Sequence, residues 1–189
     1  MVFDTPKPVE LLKKLVSMGA DEDCIVLDFY AGSGTLGQSV IEHNMENSNR
    51  SVSYIMVQEH FKLDPKNKDH KPATDFLTGI KKPHFLSEIT KERMRRVAAK
   101  IKEENPDYEG DLGFKVFKLD SSNIKQWDGG SENLQKSLED YVNQIKDGRT
   151  SMDILYEIML KSGLQLTADI EEYEVGENKV LSVDNCRLL

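Results

Sequence analysis

One stretch constrains this chain more than any other: Asp28-Phe29-Tyr30-Ala31-Gly32-Ser33-Gly34-Thr35-Leu36-Gly37, preceded by the apolar run Cys24-Ile25-Val26-Leu27 and followed by Ser39-Val40-Ile41. A short apolar run, three glycines in G-x-G-x-x-G spacing and a helical pattern predict a strand, a tight turn and a helix. The absent Cβ atoms permit the turn and let a ligand approach the backbone amides at the helix N-terminus. By itself the spacing is also met in an ordinary strand-to-helix turn with a solvated aspartate.

The acid at the strand end and the aromatic Tyr30 narrow the choice of ligand. A dinucleotide pyrophosphate is anionic, and a carboxylate at Asp28 would repel it. S-adenosylmethionine carries an ammonium and a sulfonium, so the same carboxylate attracts it. The ten residues therefore favour S-adenosylmethionine over a nicotinamide cofactor. About 20 residues beyond the glycines, a carboxylate closing the next strand can accept both hydroxyls of a ribose. Tyr54-Ile55-Met56-Val57 reads as that strand, buried on both faces, and it ends at Gln58-Glu59. Glu59 is the chosen ribose ligand, with Gln58 a neighbour able to do the same.

Length and charge bound the rest. The 189 residues suit one domain, or one domain with a small appendage. A net charge of −8 excludes the global basic footprint of a free-standing DNA binder. Cys24 and Cys186 are far apart, with no CxxC and no histidine at ligand spacing, so no metal site is expected. No apolar run approaches the ~20 residues of a membrane span, and no signal pattern opens the chain. The expectation is a cytoplasmic protein without a membrane partner.

Other segments carry weaker signals. Thr5-Pro6-Lys7-Pro8 is expected to open a helix, with Thr5 as N-cap, Leu12, Leu15 and Val16 on its apolar face and Gly19 at its end. Residues 61–85, with lysines among Pro, Asp and Asn, read as a long loop open to phosphate contact. A helix is predicted over Ser87 to Glu104, burying Ile89, Met94, Val97, Ala98 and Ile101; Lys91, Arg93, Arg95, Arg96, Lys100 and Lys102 form with its glutamates a solvated face. Asn105-Pro106-Asp107-Tyr108 lacks the second proline and the buried strand of a (Asp/Asn)-Pro-Pro-(Tyr/Phe) tetrapeptide, and reads as a helix-stop turn. Gly113 to Leu119 alternates with period 2 and predicts a third, half-buried strand. Trp127 and Gly129-Gly130-Ser131 mark a hinge. Beyond it come a helix through Leu134, Leu138, Tyr141, Val142 and Ile145, and a second helix capped by Thr150 and Asp153. A hairpin of Tyr173–Val175 and Val180–Val183 ends the pattern.

Together these residues resemble the modification (methyltransferase) subunit of type III restriction-modification systems, adenine-N6 DNA methyltransferases that use S-adenosylmethionine. The resemblance rests on Thr5 to Pro8, Asp28 to Gly37, Lys91 to Arg96 and Leu112 to Asn123. Departures from the family pattern are Tyr30 for its usual Phe, and Leu36 and Gln38 where Thr and His are common. The implied fold is α/β: a partial Rossmann-like methyltransferase sheet over residues 1–128, with a C-terminal helical and hairpin appendage over 131–189. The resemblance implies that Thr5 and Lys7 hold the methionine end of the cofactor. Asp28, Tyr30, Ala31, Gly32, Ser33, Gly34 and Thr35 form its turn, Glu59 takes the ribose and Asp120 approaches the adenine.

In that family the tetrapeptide half and the target-recognition segment come first, so this chain matches the second half. No residue is assigned a catalytic role, and the chain alone is expected to be inactive. The implied partners are DNA, bound through the absent half, that half in trans, a restriction subunit, and a second copy of the chain. The first strand would lack its neighbour, leaving Ile25, Val26 and Leu27 on an open sheet edge. The alternatives are a nicotinamide-binding dehydrogenase domain and a non-catalytic assembly module.

Overall fold

The computed structural model describes residues 2–3, 5–21, 23–47, 51–125 and 144–184. They fall into two compact units, Met1–Phe114 and Lys115–Leu189.

The first unit opens with α1 (Val9–Gly19), whose N-cap is Pro8 in an extended conformation. Thr5 is not the cap. Thr5 and Lys7 each precede a proline, whose ring disfavours helical geometry at the residue before it, so the helix starts only after Pro8. α1 buries Val16, whereas Leu15, expected on the same face, is 54% exposed. Strand β1 (Ile25–Asp28), helix α2 (Thr35–Glu46) and strand β2 (Ser53–Met56) follow. The strands pair in parallel, with Ile25 opposite Ser53 and Leu27 opposite Ile55, and α2 is the crossover between them.

One face of this two-stranded sheet is covered. Val26 and Tyr54 pack on the cluster of Val16, Leu36, Val40 and Val52, and Met56 packs against Ile41, Met94 and Val97. The other face is open: Ile25, Leu27, Ile55 and Val57 are each about half exposed. The expected burial of the second strand on both faces is therefore corrected, because the described helices lie on one side only. Among the described residues, β1 has a strand neighbour on one edge alone.

The expected long loop at 61–85 is largely structured. It contains α3 (Lys71–Gly79), and Leu63, Ala73 and Leu77 form a core with Ile89 of α4 (Leu86–Glu104). A bridge between Lys62 and Phe85 closes its base. Asn105 to Tyr108 is a turn at the end of α4, the Tyr108 amide donating to the Asn105 carbonyl at 3.1 Å. Residues 113–119 form no strand. Leu119 is fully exposed and Val116 53% exposed, and an alternating segment becomes a strand only where a neighbouring strand completes its hydrogen bonds.

The second unit contains α5 (Ser151–Lys161) and an antiparallel hairpin of β3 (Ile170–Val175) and β4 (Asn178–Val183) turning at Gly176-Glu177. The capping box is present: Thr150 Oγ1 accepts from the Asp153 amide, and Asp153 Oδ2 accepts from the Thr150 amide. Leu155, Met159 and Val183 form the core. Ile145, expected in a helix, instead bridges Ile124. Trp127, the hinge at 129–131, Leu134, Leu138, Tyr141, Val142 and Cys186 lie outside the described residues.

Candidate functional site

Parallel strands bring their carboxyl ends to one side of the sheet, and both ends here feed the glycine turn. The Val57 amide donates to the Asp28 carbonyl at 2.7 Å, and the Ala31 amide donates to the Val57 carbonyl at 3.0 Å, so the pairing runs past both strand ends. The Gly34 amide then closes the turn on the Ala31 carbonyl at 2.7 Å. Gly32 and Gly34 have φ of 51° and 79°, the left-handed region that a Cβ disfavours. A Cβ on Gly32 would lie 3.2 Å from the Phe3 ring. Gly37, one helical turn on, has a different reason for being glycine: a Cβ there would come within 2.8 Å of both Met56 and Met94, so its absence sets how closely α2 approaches the strand and α4.

Asp28 Oδ1 accepts from the Tyr30 amide at 2.9 Å, which aims the carboxylate along the turn. Phe29 and Tyr30 stand 65% and 76% exposed, their rings edge to face at 5.7 Å. From the end of β2, Gln58 Oε1 accepts from the Gly32 amide at 2.8 Å. This separates the two ribose candidates. The Gln58 carboxamide oxygen is engaged by the turn, whereas Glu59 is exposed. Gly34, the N-cap of α2, supplies no side-chain cap to the helix amides.

The turn is gripped from behind by α4, a role the sequence reading missed. Thr90 Oγ1 donates to the Gly32 carbonyl at 2.6 Å. Arg93 donates from Nη1 to Ser33 Oγ at 2.9 Å and Thr35 Oγ1 at 3.0 Å, and from Nε to Gln38 Oε1 at 2.7 Å. Ser33 and Thr35 are buried and also bond each other at 3.1 Å. Burial pulls the Arg93 pKa down from its ordinary value, with Glu42 acting against it. Arg93 thus leaves the solvated face expected for it. The signal was present: Thr90 and Arg93 share the face of Ile89, Met94 and Val97, and polar residues on a core-facing stripe need partners.

Thr5 and Lys7 are exposed on the approach to α1. Asp120 belongs to the second unit, where Oδ2 accepts from Arg149 at 2.7 Å. Arg149, with the Ser121 amide, holds the Asp120 carboxyl at about 2. Alongside, Glu157 of α5 accepts from Ser122 Oγ, the Asn123 amide and Lys161, and is likewise held at about 2. The 120–123 segment is thereby tied to α5. The structure gathers Asp28, Tyr30 to Thr35 and the end of β2 into one site. Asn105 to Tyr108 is no part of it, since twelve helical residues from Arg93 place Asn105 about 18 Å further along α4. Among the described residues no three His, Cys, Asp or Glu side chains are grouped to hold a metal, and no helix is long and apolar enough to cross a membrane.

Part of the chain is similar to known proteins. The DNA methylase family is matched over residues 1–92, which contain the whole glycine turn. The chain is 39% identical over 120 residues to the type III restriction-modification enzyme StyLTI Mod subunit of Salmonella typhimurium, covering 62% of this chain and 17% of that protein. It is 36% identical over 118 residues to the EcoP15I Mod subunit of Escherichia coli, covering 62% and 15%. It is 30% identical over 97 residues to the type II methyltransferase M.KpnI of Klebsiella pneumoniae, covering 51% and 21%. The resemblance to type III modification subunits drawn from the sequence is borne out. The matched region is about a sixth of the length of these type III relatives.

Proposed function

We propose that the chain is the S-adenosylmethionine-binding portion of a DNA adenine-N6 methyltransferase of a restriction-modification system, built on part of a Rossmann-like sheet. The observation that carries this reading is the turn itself: two left-handed glycines at the carboxyl end of parallel strands, with the Asp28 carboxylate fixed along the turn and exposed Glu59 closing the next strand. An anionic side chain beside an open turn suits a cationic ligand and disfavours the pyrophosphate of a nicotinamide cofactor. When bound, S-adenosylmethionine supplies an electrophilic methyl group.

The chain's own residues bind and orient. Asp28 offers a carboxylate to the cationic end of the ligand, and Thr5 and Lys7 are the proposed contacts to its methionine carboxylate, as the family resemblance implies. Tyr30 and Ala31 form the wall of the turn, Gly32, Ser33, Gly34 and Thr35 its floor, and Glu59 takes the ribose hydroxyls. A (Asp/Asn)-Pro-Pro-(Tyr/Phe) tetrapeptide, which would receive the flipped target base, is absent from the sequence, so the proposed enzyme takes it from another segment or subunit. A restriction subunit is the corresponding partner of the complete assembly.

Calorimetric titration tests this reading. S-adenosylmethionine should bind the wild-type chain, Asp28→Ala and Gly32→Val should abolish binding, and NAD should give no heat. Equal affinity in all three proteins would remove the site assignment. Radiolabelled methyl should stay off DNA with the chain alone, and incorporation lost in Asp107→Ala would instead identify Asn105 to Tyr108 as the acceptor pocket.

A further inference from the structure

No residue of the segment between the two strands' site and α4 is assigned to the cofactor, yet the segment is structured and carries charge of the opposite sign to the chain. Residues 61–85 contain Lys62, Lys66, Lys68, Lys71, Lys81 and Lys82 against Asp64, Asp69 and Asp75, in a protein of net charge −8. All six lysines are exposed. Lys71 pairs with Asp75 at 3.8 Å, while the other five make no ion pair among the described residues. On α1 and α4 several cations are paired: Lys13 faces Glu10, Glu42 and Glu46, Lys91 faces Glu88, and Arg95 and Arg96 share Glu92, whereas Lys14 and Lys102 make no ion pair among the described residues.

The position of this block is fixed by the site. Just outside its two ends, Gln58 accepts from the Gly32 amide and Thr90 donates to the Gly32 carbonyl. The block therefore rises from the carboxyl end of the strands beside the glycine turn. Its base is closed by Leu63 donating to the His84 carbonyl at 2.8 Å and Leu86 donating to the Phe61 carbonyl at 3.0 Å, over the core of Leu63, Ala73, Leu77 and Ile89. The lysines sit on a packed scaffold, so the backbone that carries them needs little further ordering when a partner arrives.

Lys81 adds an independent sign. The Lys82 amide donates to the Leu77 carbonyl and the Lys81 amide to the Thr78 carbonyl, the double bond that ends a helix when the first residue beyond it is left-handed. Glycine fills that position without strain, but here it is Lys81, at φ 55°. A cation stands where the backbone favours glycine.

We infer that residues 61–85 form a phosphate-binding surface through which the protein holds the backbone of duplex DNA beside the cofactor turn. The inference rests on the reading of the chain as part of a DNA methyltransferase, and names a DNA contact made by this chain itself. Lysines reaching separate phosphates give affinity without sequence information and release counterions as they bind. Three to five such contacts make binding roughly 40- to 500-fold weaker when salt rises from about 50 to 200 mM.

Fluorescence anisotropy of a labelled duplex against the full chain, at several salt concentrations, tests it. The wild type should bind with the salt dependence above, and the chain with Lys62, Lys66, Lys68, Lys81 and Lys82 all changed to Gln should lose both affinity and most of the salt slope. Lys81→Gly is the sharper variant: it should raise the melting temperature by relieving the left-handed lysine, yet weaken DNA binding and lower the slope by about one unit. A structural role alone would move stability and leave the slope unchanged. No duplex binding by wild type at about 50 mM salt, or equal slopes in wild type and the five-lysine variant, overturns the inference. Calorimetry with S-adenosylmethionine on the same samples separates the two proposals: the lysine variants should bind it as wild type does, and a wild type that binds the cofactor but no duplex, or lysine variants that keep the wild-type salt slope while binding the cofactor, refute this surface alone.

Discussion

Arg93→Met removes the grip of α4 on the glycine turn while keeping the side chain's apolar stem. The substitution deletes three charge-assisted hydrogen bonds of 2.7–3.0 Å, to Ser33, Thr35 and Gln38. Bonds to a charged partner contribute about 1.5–3 kcal/mol each at most. Several terms reduce the sum. Ser33 and Thr35 keep each other, Gln38 keeps its bond to Glu42 at 2.8 Å, and Met avoids the desolvation that lowers the Arg93 pKa. A net loss of about 2 kcal/mol remains, which for a unit of about 110 residues is a melting-temperature fall of roughly 8 °C. Thermal unfolding followed by circular dichroism measures it. A double-mutant cycle with Ser33→Ala should give a coupling of about 1 kcal/mol. A fall below about 2 °C with strictly additive single mutants would refute the grip, because residues that truly share these bonds cannot act independently.

Gly37→Ala gains about 1 kcal/mol of helix propensity but pushes a methyl to 2.8 Å from Met56 and Met94, the latter 1% exposed. The net effect expected in chemical denaturation is a loss of about 1 kcal/mol, relieved by Met94→Leu, and a stabilised variant would contradict the packing. Glu157 is held at about 2 by Lys161, Ser122 and the Asn123 amide. A carboxyl depressed in the fold contributes stability that is complete above its unfolded value of about 4.3 and is lost as pH falls through about 2. Carbon-detected NMR titration should give a midpoint near 2 that rises in Lys161→Gln, whereas a midpoint near 4.3 would show the three partners absent. On β1, the Cys24 and Asp28 carbonyls face β2, so in an extended strand Val26 shares that side while Ile25 and Leu27 turn their amides to the open edge. Amide exchange should be fast at Ile25 and Leu27 and slow at Val26 and Asp28. Equal protection in a demonstrated monomer would mean the edge is covered.

The strand, turn and helix around Asp28 to Gly37 were legible because each signal is local: an apolar run, glycines where φ turns positive, and a helical stripe. The Thr150 and Asp153 capping box and the terminal hairpin were readable for the same reason, although the hairpin strands begin earlier and pair over six residues each. Helix α3 was missed although Ala73, Phe76, Leu77 and Ile80 carry helical spacing, because the lysines, prolines and aspartates around it mask so short a pattern. The expected strand at 113–119 failed for a tertiary reason, since alternation describes two faces and says nothing about the neighbour that must satisfy its amides. Leu15 failed similarly: the amphipathic pattern of α1 is present, but the packed partners cover only Leu12 and Val16. In the site, Asp28 and the glycines could be found from sequence. Thr90 and Arg93 could not be joined to them, because a contact across about 60 residues is created only by the fold.

The central proposal is a location for S-adenosylmethionine, on the glycine turn at the carboxyl ends of β1 and β2. The most direct test is the amide spectrum of isotope-labelled chain titrated with the cofactor. The account predicts shifts concentrated at residues 28–35 and 57–59, with the β3–β4 hairpin unmoved and the shifts lost in Gly32→Val. Saturable binding whose shifts leave residues 28–35 untouched would contradict it.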